Sequence, residues 1–330
     1  MSSLRFAIIG FGKMGQIRYD ALTKLDGCVV SKAYEPGEDI IFPENLERVG
    51  CPEDIINDDS IDAVCISVPN YKIRNYVNAA LSSGKHVFCE KPPGMDLADV
   101  ESMAETIHKT GNKLMFGFNH RHHDSIIEAK QMIDSGIYGN MLWMRGRYGK
   151  SVAPDFNSNW RSQKKYAGGG IFLDQGIHML DLFMHVADGP FEEVKAFVSN
   201  LYWKGDVEDN VFALFRNDKG QVASLHSTMT QWRHLFSFEI FLEKGYIVIN
   251  GLKTSSNTYG KETLSYTKDR SIAPAATFHD VVQVEYSIDN SWKRELGMFI
   301  EAIQKDTEIT TCGIQDAHHL MSMVEKVYAQ

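Results

Sequence analysis

Residues 6–15 read Phe6-Ala7-Ile8-Ile9-Gly10-Phe11-Gly12-Lys13-Met14-Gly15, an apolar run that leads into the spacing G-x-G-x-x-G. A helical pattern follows over Met14–Leu25, and a second apolar run, Val29–Tyr34, leads to Glu35, 20 residues after Gly15. In a strand-to-helix turn, such glycines allow the tight bend, the approach of a pyrophosphate and close packing of the helix. The acidic residue has the spacing of a contact to the adenosine ribose. The stretch therefore predicts a dinucleotide site, and glycines needed only for turn geometry are the alternative.

This turn is expected to hold most of the cofactor. The helix N-terminus supplies amide donors and a partial positive charge to the phosphates. Glu35 favours NAD(H), because its carboxylate can bind the ribose hydroxyls. Arg18 and Lys32 nearby could instead favour a 2′-phosphate, so the prediction leaves NADP(H) open. The contacts predicted here are Gly10, Gly12, Lys13, Met14, Gly15 and Glu35.

The following residues repeat the alternation of strand and helix patterns. Apolar runs at Ile61–Val68, His86–Cys89 and Lys113–Phe118 alternate with helical patterns at Tyr71–Ser83 and Asp96–Lys109. Strands separated by helices of this length indicate right-handed βαβ crossovers and a doubly wound parallel sheet. We therefore predict an α/β Rossmann domain for dinucleotide binding over residues 1–121.

After residue 121 the pattern changes from alternation to successive strands. One helical pattern, Ser125–Ser135, precedes aromatic-rich strand patterns with short turns, and two helical patterns, Trp292–Gln304 and Ile314–Ala329, close the chain. Apolar residues alternate along Leu235–Leu242, which is typical of a sheet with one buried face. The prediction is an α+β C-terminal domain, residues 122–330, with a largely antiparallel open sheet for substrate binding and oligomerisation.

Composition narrows the class of protein. The chain has 330 residues and a net charge of −9, which argues against a broad nucleic-acid surface because phosphate binding needs clustered cations. Its five cysteines are scattered without a C-x-x-C pair, which disfavours zinc ribbons and redox dithiols. The first residues match neither a secretory signal nor a membrane span. We expect a cytoplasmic protein without nucleic-acid or membrane partners.

A lysine follows the strand pattern His86–Cys89 at the expected rim of the nucleotide crevice. The segment reads Glu90-Lys91-Pro92-Pro93, and a residue before proline is held extended. Ligands of such sheets bind beyond the carboxyl ends of the strands. A lysine there can hydrogen-bond a hydroxyl or carbonyl oxygen that gains charge. A solvated surface lysine is the alternative.

A second group of chemically active residues lies in residues 168–181, Gly-Gly-Gly-Ile-Phe-Leu-Asp-Gln-Gly-Ile-His-Met-Leu-Asp. Asp174 and His178 are four residues apart and share a helix face, with Asp181 on the same stripe. A carboxylate beside an imidazole orients the ring and favours its protonated form, which suits acid–base chemistry. From spacing alone, a capped helix with a packed histidine is the alternative.

These motifs in this order resemble the Gfo/Idh/MocA oxidoreductases, the group that includes glucose–fructose oxidoreductase and inositol dehydrogenase. Two positions depart from residues frequent in that family: Ile73 stands where a histidine is common, and Asn119-His120-Arg121 replaces Asn-Arg-Arg. The similar segments are the glycine turn, Glu90-Lys91-Pro92, Gly117-Phe118-Asn119, Asn159-Trp160-Arg161 and the run Gly168–His178.

The resemblance implies a nicotinamide-dependent dehydrogenase of a sugar, cyclitol or related polyol. Lys91 would position the reacting oxygen, His178 would be the general acid or base, and Asp174 would bind substrate and orient the site. A non-catalytic dinucleotide-binding regulator with the same fold is the alternative, and it would need none of these three groups. The further cofactor contacts are Pro69, Asn70, Glu90 and Lys91. The substrate contacts are Lys91, Asn119, Trp160, Arg161, Asp174 and His178.

Three other features leave alternatives open. Gly149–Ala167 is predicted as a long loop, whose Lys164 and Lys165 either bind the phosphates of a nucleotide sugar or are solvated. The segment His120-Arg121-His122-His123 has no matching carboxylate or cysteine spacing, so we expect no metal site. Aromatic residues of the second sheet either pack in its core or contact another subunit, and we expect a homo-oligomer, a dimer or tetramer, through the C-terminal sheet.

Overall fold

A computed structural model describes residues 3–152, 154–268 and 277–330. The strands are β1 (Leu4–Ile9), β2 (Cys28–Tyr34), β3 (Glu47–Arg48), β4 (Ala63–Ile66), β5 (His86–Glu90), β6 (Leu114–Gly117), β7 (Met141–Ser151), β8 (Glu193–Ser199), β9 (Asn210–Arg216), β10 (Val222–Thr228), β11 (Thr230–Leu242), β12 (Gly245–Asn250), β13 (Glu262–Lys268) and β14 (Val282–Tyr286). The α-helices are α1 (Lys13–Leu22), α2 (Glu53–Ile56), α3 (Asn70–Ser82), α4 (Leu97–Thr110), α5 (Asp124–Asp134), α6 (Lys164–Ala167), α7 (Ile177–Ala187), α8 (Ser291–Gln304) and α9 (Ile314–Tyr328). Within these described ranges, no helix is both long and apolar enough to cross a membrane.

The first sheet has six parallel strands in the order β3-β2-β1-β4-β5-β6. This is the strand order of two βαβ halves that meet at β1 and β4, with helices as crossovers. Its central strands are continuous apolar runs because they are covered on both faces, and every residue of β4 and β6 is buried. The predicted doubly wound α/β fold is confirmed.

The first compact unit comprises Met1–Asn119 together with Trp292–Met321. The late segment belongs to it because α8 packs on the first sheet, where the ring of Phe299 meets Phe6 and Phe88 edge-on at centroid distances of 6.3 and 5.7 Å. This division differs from the two continuous segments expected from the sequence. Helical periodicity shows that α8 has an apolar face, but it carries no information about the sheet that covers that face.

The second compact unit comprises His120–Ser291 and Ser322–Gln330. Its eight strands follow the order β14-β13-β12-β11-β7-β10-β9-β8, and all neighbours are antiparallel except β7 and β10. The predicted α+β domain with a largely antiparallel sheet is therefore confirmed. Strands β13 and β14 were not predicted, because each alternates only two or three apolar residues with polar ones.

One face of the second sheet is buried beneath α7. The alternating residues of β11 that suggested a buried face, among them Phe236 and Phe238, are at most 1% exposed. The ring of Phe183 on α7 lies 5.7 Å from that of Phe238. Gly146 of β7 allows the close approach of the helix, because a Cβ there would overlap the side chain of Met179. This contact places the helix that carries His178 against the centre of the sheet.

Candidate active site

The glycine turn between β1 and α1 requires glycine at two positions. Gly10 has a φ of 92°, and a Cβ there would overlap the carbonyl oxygen of Ser67. A Cβ on Gly15 would overlap the carbonyl oxygen of Gly10, so α1 packs directly against the turn. Gly12 precedes the helix without a side-chain cap, and the first turn contains no acidic residue. The helix therefore begins at Lys13 with amide groups that no side chain caps, as in helix N-termini that bind phosphate.

Glu35 directly follows β2 and lies beside the glycine turn. Its Oε2 is 3.8 Å from the position that a Cβ on Gly12 would take. Its Oε1 accepts a hydrogen bond from the backbone N–H of Gly37 at 3.1 Å. Arg48 of β3 stabilises the segment after β2 by donating hydrogen bonds to the backbone carbonyl oxygens of Glu35 and Gly37, both at 2.9 Å. No motif marks Arg48 in the sequence, and only the pairing of β3 with β2 brings it close to Glu35.

The two cations considered as ligands of a 2′-phosphate are both engaged elsewhere. Arg18 is fully buried and forms ion pairs with Glu90 and Glu295. Burial lowers the pKa of Arg18, but the two carboxylates, Glu295 first, more than offset this and raise it, so its charge is permanent. Lys32 pairs with Asp58 at 2.9 Å. The guanidinium of Arg18 thus neutralises two carboxylates inside the first unit, while the preference between NAD(H) and NADP(H) stays a prediction.

The other predicted cofactor contacts follow the ends of adjacent strands. Pro69 and Asn70 form the start of α3 after β4, Glu90 is the last residue of β5, and Lys91 comes next. Because β1, β4 and β5 are parallel neighbours, their carboxyl ends meet at one edge of the sheet with the glycine turn. Lys91 is partly exposed there. The carboxylate of Glu90 forms an ion pair with Arg18. A cofactor contact at Glu90 would therefore use the backbone of this residue.

In the second unit, the glycine run leads into a π-helical turn, Phe172–Gly176, and then into α7. Such turns are frequent at functional sites, and this one carries Asp174. Glu208 anchors its start, since the carboxylate accepts hydrogen bonds from the N–H groups of Gly170 at 2.8 Å and Phe172 at 3.0 Å. Burial raises the pKa of Glu208. The sequence offers no sign of this anchor, because Glu208 lies in the connection between β8 and β9.

Asp174 is the more accessible of the two predicted reactive groups in this unit. Its side chain is 27% exposed, and its Oδ2 lies 3.4 Å from Nζ of Lys150. The side-chain Nε2 of Gln175 donates a hydrogen bond to Oδ2 of Asp174 at 3.3 Å. The Oε1 of Gln175 accepts a hydrogen bond from the hydroxyl of Tyr259, also at 3.3 Å. Lys150 was assigned to a loop, but β7 continues to Ser151 and places the ammonium group beside Asp174.

His178 lies four residues further and is buried, with 4% of its surface exposed. Its ring stacks on that of His120, with the centroids 3.9 Å apart and the planes inclined by 21°. The Nε2 of His120 and the hydroxyl of Tyr148 share a hydrogen bond of 2.9 Å. Burial raises the pKa of Tyr148 well above its usual value, so this hydroxyl stays protonated. The structure therefore adds His120 and Tyr148, from distant segments, to the predicted Asp174–His178 pair.

Other polar residues around α7 form buried hydrogen-bonded pairs. Asp181 accepts two hydrogen bonds from the guanidinium of Arg121, at 2.8 and 2.6 Å, so it anchors the helix instead of extending the reactive stripe. His123 directs Nδ1 to Glu262 at 2.7 Å. In the described ranges, no group of three His, Cys, Asp or Glu side chains has the arrangement of a metal site.

The remaining predicted substrate contacts lie outside these helices. Trp160 and Arg161 occupy a 3₁₀ turn, where the guanidinium lies 4.4 Å above the centre of the indole ring. The neighbouring residues form two more short helical turns, 154–158 and 164–167, in place of the expected long loop. Asn119 is buried and belongs to the first unit, as does Lys91, whereas Asp174 and His178 belong to the second.

Comparison with known protein families matches both parts of the chain. Residues 4–118 match the family model described as "Oxidoreductase family, NAD-binding Rossmann fold". Residues 126–248 match the model described as "GFO/IDH/MocA C-terminal domain". The two matches together span more than two thirds of the chain.

Characterised relatives align over most of the chain. The levoglucosan dehydrogenase of Pseudarthrobacter phenanthrenivorans is 28% identical over 292 residues, covering 76% of this chain and 74% of that protein. The myo-inositol 2-dehydrogenase of Thermotoga maritima is 28% identical and covers 77% of each. The inositol 2-dehydrogenase of Rhizobium meliloti is 26% identical and covers 94% of this chain and 92% of its own length.

Solved structures share the fold over the full chain. Levoglucosan dehydrogenase in complex with NADH superposes with a TM-score of 0.85 at 22% identity, covering 99% of this chain and 96% of that one. Aldose-aldose oxidoreductase from Caulobacter crescentus, complexed with glycerol, gives a TM-score of 0.81 at 23% identity, covering 99% and 97%. At these identities the likeness establishes the architecture of both units.

Proposed function

The chain belongs to the GFO/IDH/MocA oxidoreductase family, and on this basis we propose that it transfers a hydride between a nicotinamide cofactor and a hydroxyl or carbonyl carbon of a sugar-like substrate. The observation that carries this proposal is the placement of a buried imidazole, His178 of α7, four residues after a partly exposed carboxylate, Asp174, in the π-helical turn that leads into this helix. A regulator that only binds the dinucleotide has no use for that pair.

Each of three side chains has one role in the proposed reaction. In the oxidation direction, His178 accepts the proton of the substrate hydroxyl. Lys91 donates a hydrogen bond to the same oxygen as it becomes a carbonyl. Asp174 binds a neighbouring hydroxyl and orients the ring of the substrate. When bound, the nicotinamide would supply the hydride chemistry, as the acceptor of the hydride from the carbon that bears this oxygen. Reduction reverses these steps.

The names of the relatives support a cyclic polyol or an anhydro sugar as the substrate class. They include a levoglucosan dehydrogenase, a myo-inositol 2-dehydrogenase and a 1,5-anhydro-D-fructose reductase. A nucleotide sugar is the second candidate, because Lys164 and Lys165 are both exposed on the short helix α6 and could bind its phosphates. Free sugars, cyclitols and nucleotide sugars therefore belong in one substrate panel.

NAD(H) is the cofactor that this site favours. Glu35 presents a carboxylate beside Gly12, where a ribose 2′-hydroxyl can donate to it and a 2′-phosphate would be repelled. Arg18 and Lys32 are already paired with carboxylates and are poor ligands for that phosphate.

The decisive experiment follows NADH absorbance across the substrate panel with wild type, Lys91→Ala and His178→Asn. We expect both variants to retain NADH binding and to lose about 100-fold or more in kcat, which is the usual contribution of a general acid or base. His108→Gln, a substitution of an exposed histidine on α4, is the matched control and should keep full activity. Wild-type turnover in His178→Asn would refute the assigned role, and no turnover of any substrate by wild type would favour the regulator.

The exposed face of the second sheet supports a proposal of self-association. Trp143 stacks on Phe241 at 4.0 Å and Phe241 on Tyr246 at 5.6 Å, while Phe197 and Phe212 on the same face are 78% and 46% exposed. Exposed apolar patches of this kind mark interaction surfaces. We propose that this face joins copies of the chain in a homo-oligomer. A monomer in sedimentation equilibrium at micromolar concentration would contradict this.

A reducing, cytoplasmic location is consistent with the thiols. All five cysteines are free, and three of them, Cys65, Cys89 and Cys312, are buried as small apolar side chains. Activity that is unchanged by a reducing agent would support this location. Loss of activity on reduction would oppose it.

A further inference from the structure

The ring of His120 forms a flat support for the imidazole of His178. The two rings are stacked at 3.9 Å and inclined by 21°, and both side chains are buried. His120 comes from the 3₁₀ turn 119–122, and His178 comes from α7. Stacking between them therefore joins two segments that are far apart in the chain.

Contacts on its other sides hold the ring of His120 in place. Its Nε2 shares the 2.9 Å hydrogen bond with Tyr148, and the rings of Phe236 and His123 lie 5.9 and 5.8 Å away. The hydroxyl of Tyr148 remains protonated, because burial keeps the pKa of Tyr148 high. Rotation of His120 would break this hydrogen bond and the stack together.

The same contacts lead onward to Asp174. Tyr148 packs against Tyr259 with ring centroids 5.4 Å apart. Tyr259 donates a hydrogen bond to Oε1 of Gln175, and Nε2 of Gln175 donates to Asp174, each at 3.3 Å. The two groups assigned to the reaction in this unit are thus joined by an uninterrupted series of side-chain contacts.

We propose that His120 is a positioning residue that holds the ring plane of His178, and that Tyr148 in turn holds His120. This rests on the proposed function, in which His178 exchanges a proton with the substrate. Proton transfer needs the imidazole nitrogen within hydrogen-bond reach of the substrate oxygen, so a ring that is free to rotate is productive for a smaller fraction of the time.

His120 acts through the flat shape of its ring, which is stacked on the ring of His178 at 3.9 Å.

The test compares substitutions that keep or remove the flat ring. We expect His120→Leu, which removes the ring, to lower kcat about tenfold or more with KM within about twofold of wild type, because only the reactive orientation is lost. His120→Phe keeps a flat ring and should stay within about threefold of the wild-type kcat. Tyr148→Phe removes the hydroxyl that is bonded to His120, a hydrogen bond that is also absent in His120→Phe, so its kcat should be similar to that of His120→Phe. Tyr286→Phe, which loses the hydroxyl contact to Glu128 in the same unit, is the control and should match wild type.

A second measurement needs no substrate. In nuclear magnetic resonance of isotope-labelled histidines, we expect the ring protons of His178 to show a ring-current shift in wild type and in His120→Phe, and to lose it in His120→Leu. The inference is overturned if His120→Leu keeps the wild-type kcat, if His120→Phe loses as much as His120→Leu, or if the shift does not depend on residue 120.

Failure of this inference is distinguishable from failure of the proposed function. An inactive His178→Asn combined with a fully active His120→Leu overturns only the positioning role. A fully active His178→Asn overturns the reaction assigned to His178 and the positioning role with it. If His120→Leu does not fold, His120→Phe and Tyr148→Phe carry the test, because both keep an aromatic ring at each site.

Discussion

The pair formed by Arg121 and Asp181 should be a main support of the helix that carries His178. Both side chains are buried, with 7% and 2% of their surfaces exposed, and two hydrogen bonds of 2.8 and 2.6 Å join them. Asp181→Asn keeps the shape of the side chain but removes the negative charge from this buried ion pair. Removing one partner of a buried ion pair costs about 3–5 kcal/mol.

An exposed pair of the same geometry provides the control. Arg145 also makes two hydrogen bonds to Glu239, at 3.1 and 2.6 Å, but its side chain is 53% exposed. Solvent screens such a pair, so Glu239→Gln should cost about 0–1 kcal/mol. The difference between the two variants therefore measures burial and not hydrogen-bond count.

The assay is urea unfolding followed by tryptophan fluorescence. Four of the five tryptophans lie between residues 120 and 291, so the signal reports mainly on the second unit. The double variant Arg121→Met/Asp181→Leu should recover most of the loss, because an apolar pair of similar volume carries no desolvation penalty. A loss in Asp181→Asn no larger than that in Glu239→Gln would refute this reasoning, as would a double variant less stable than the single one.

Two further predictions concern the cofactor and the response to pH. Glu35→Gln should weaken the binding of NADH about tenfold or more relative to that of NADPH in fluorescence titrations, because a charge-assisted hydrogen bond contributes about 1.5–3 kcal/mol. The control is Glu38→Gln, at an exposed neighbour of Glu35. An unchanged preference of Glu35→Gln for NADH over NADPH would contradict the prediction. Burial raises the pKa of Asp209, but hydrogen bonds from the amides of Leu201, Trp203 and Tyr202 and from Asn210 more than offset this and lower it. A lowered pKa in the folded state stabilises the fold above the unfolded value of about 3.9, and this stabilisation is lost as the pH falls through the folded pKa. The stability advantage of wild type over Asp209→Asn should therefore be largest near neutral pH and shrink below about pH 4 in urea unfolding, and an advantage independent of pH would exclude this role.

The architecture of the first sheet follows from local patterns. Gly10 and Gly15 lie where backbone atoms leave no room for a Cβ, and the apolar run of β4 is buried at every residue. Such constraints act on neighbouring residues, so spacing and periodicity record them. The alternation along β11 revealed the buried face of the second sheet for the same reason.

The nucleotide site was only partly predictable. Glu35 is marked by its distance from the glycine turn, but the partners of Arg18 are not marked by any spacing. Its two carboxylates lie 72 and 277 residues away, and their pairing turned a suspected phosphate ligand into part of the interior. Charge and position in the sequence do not distinguish an exposed arginine from a buried one.

By itself, the sequence determined the class of fold and the dinucleotide turn, because each depends on residues within one or two turns of one another. Asp174 and His178 became candidate reactive groups through the family resemblance, since their spacing alone left a capped helix as the alternative. Only the tertiary structure decided that His120 stacks on His178 and that Lys150 lies beside Asp174. Those contacts join segments that meet only when the second sheet and α7 have packed together. Burial and pairing between distant segments depend on the whole fold, and local periodicity carries no record of them.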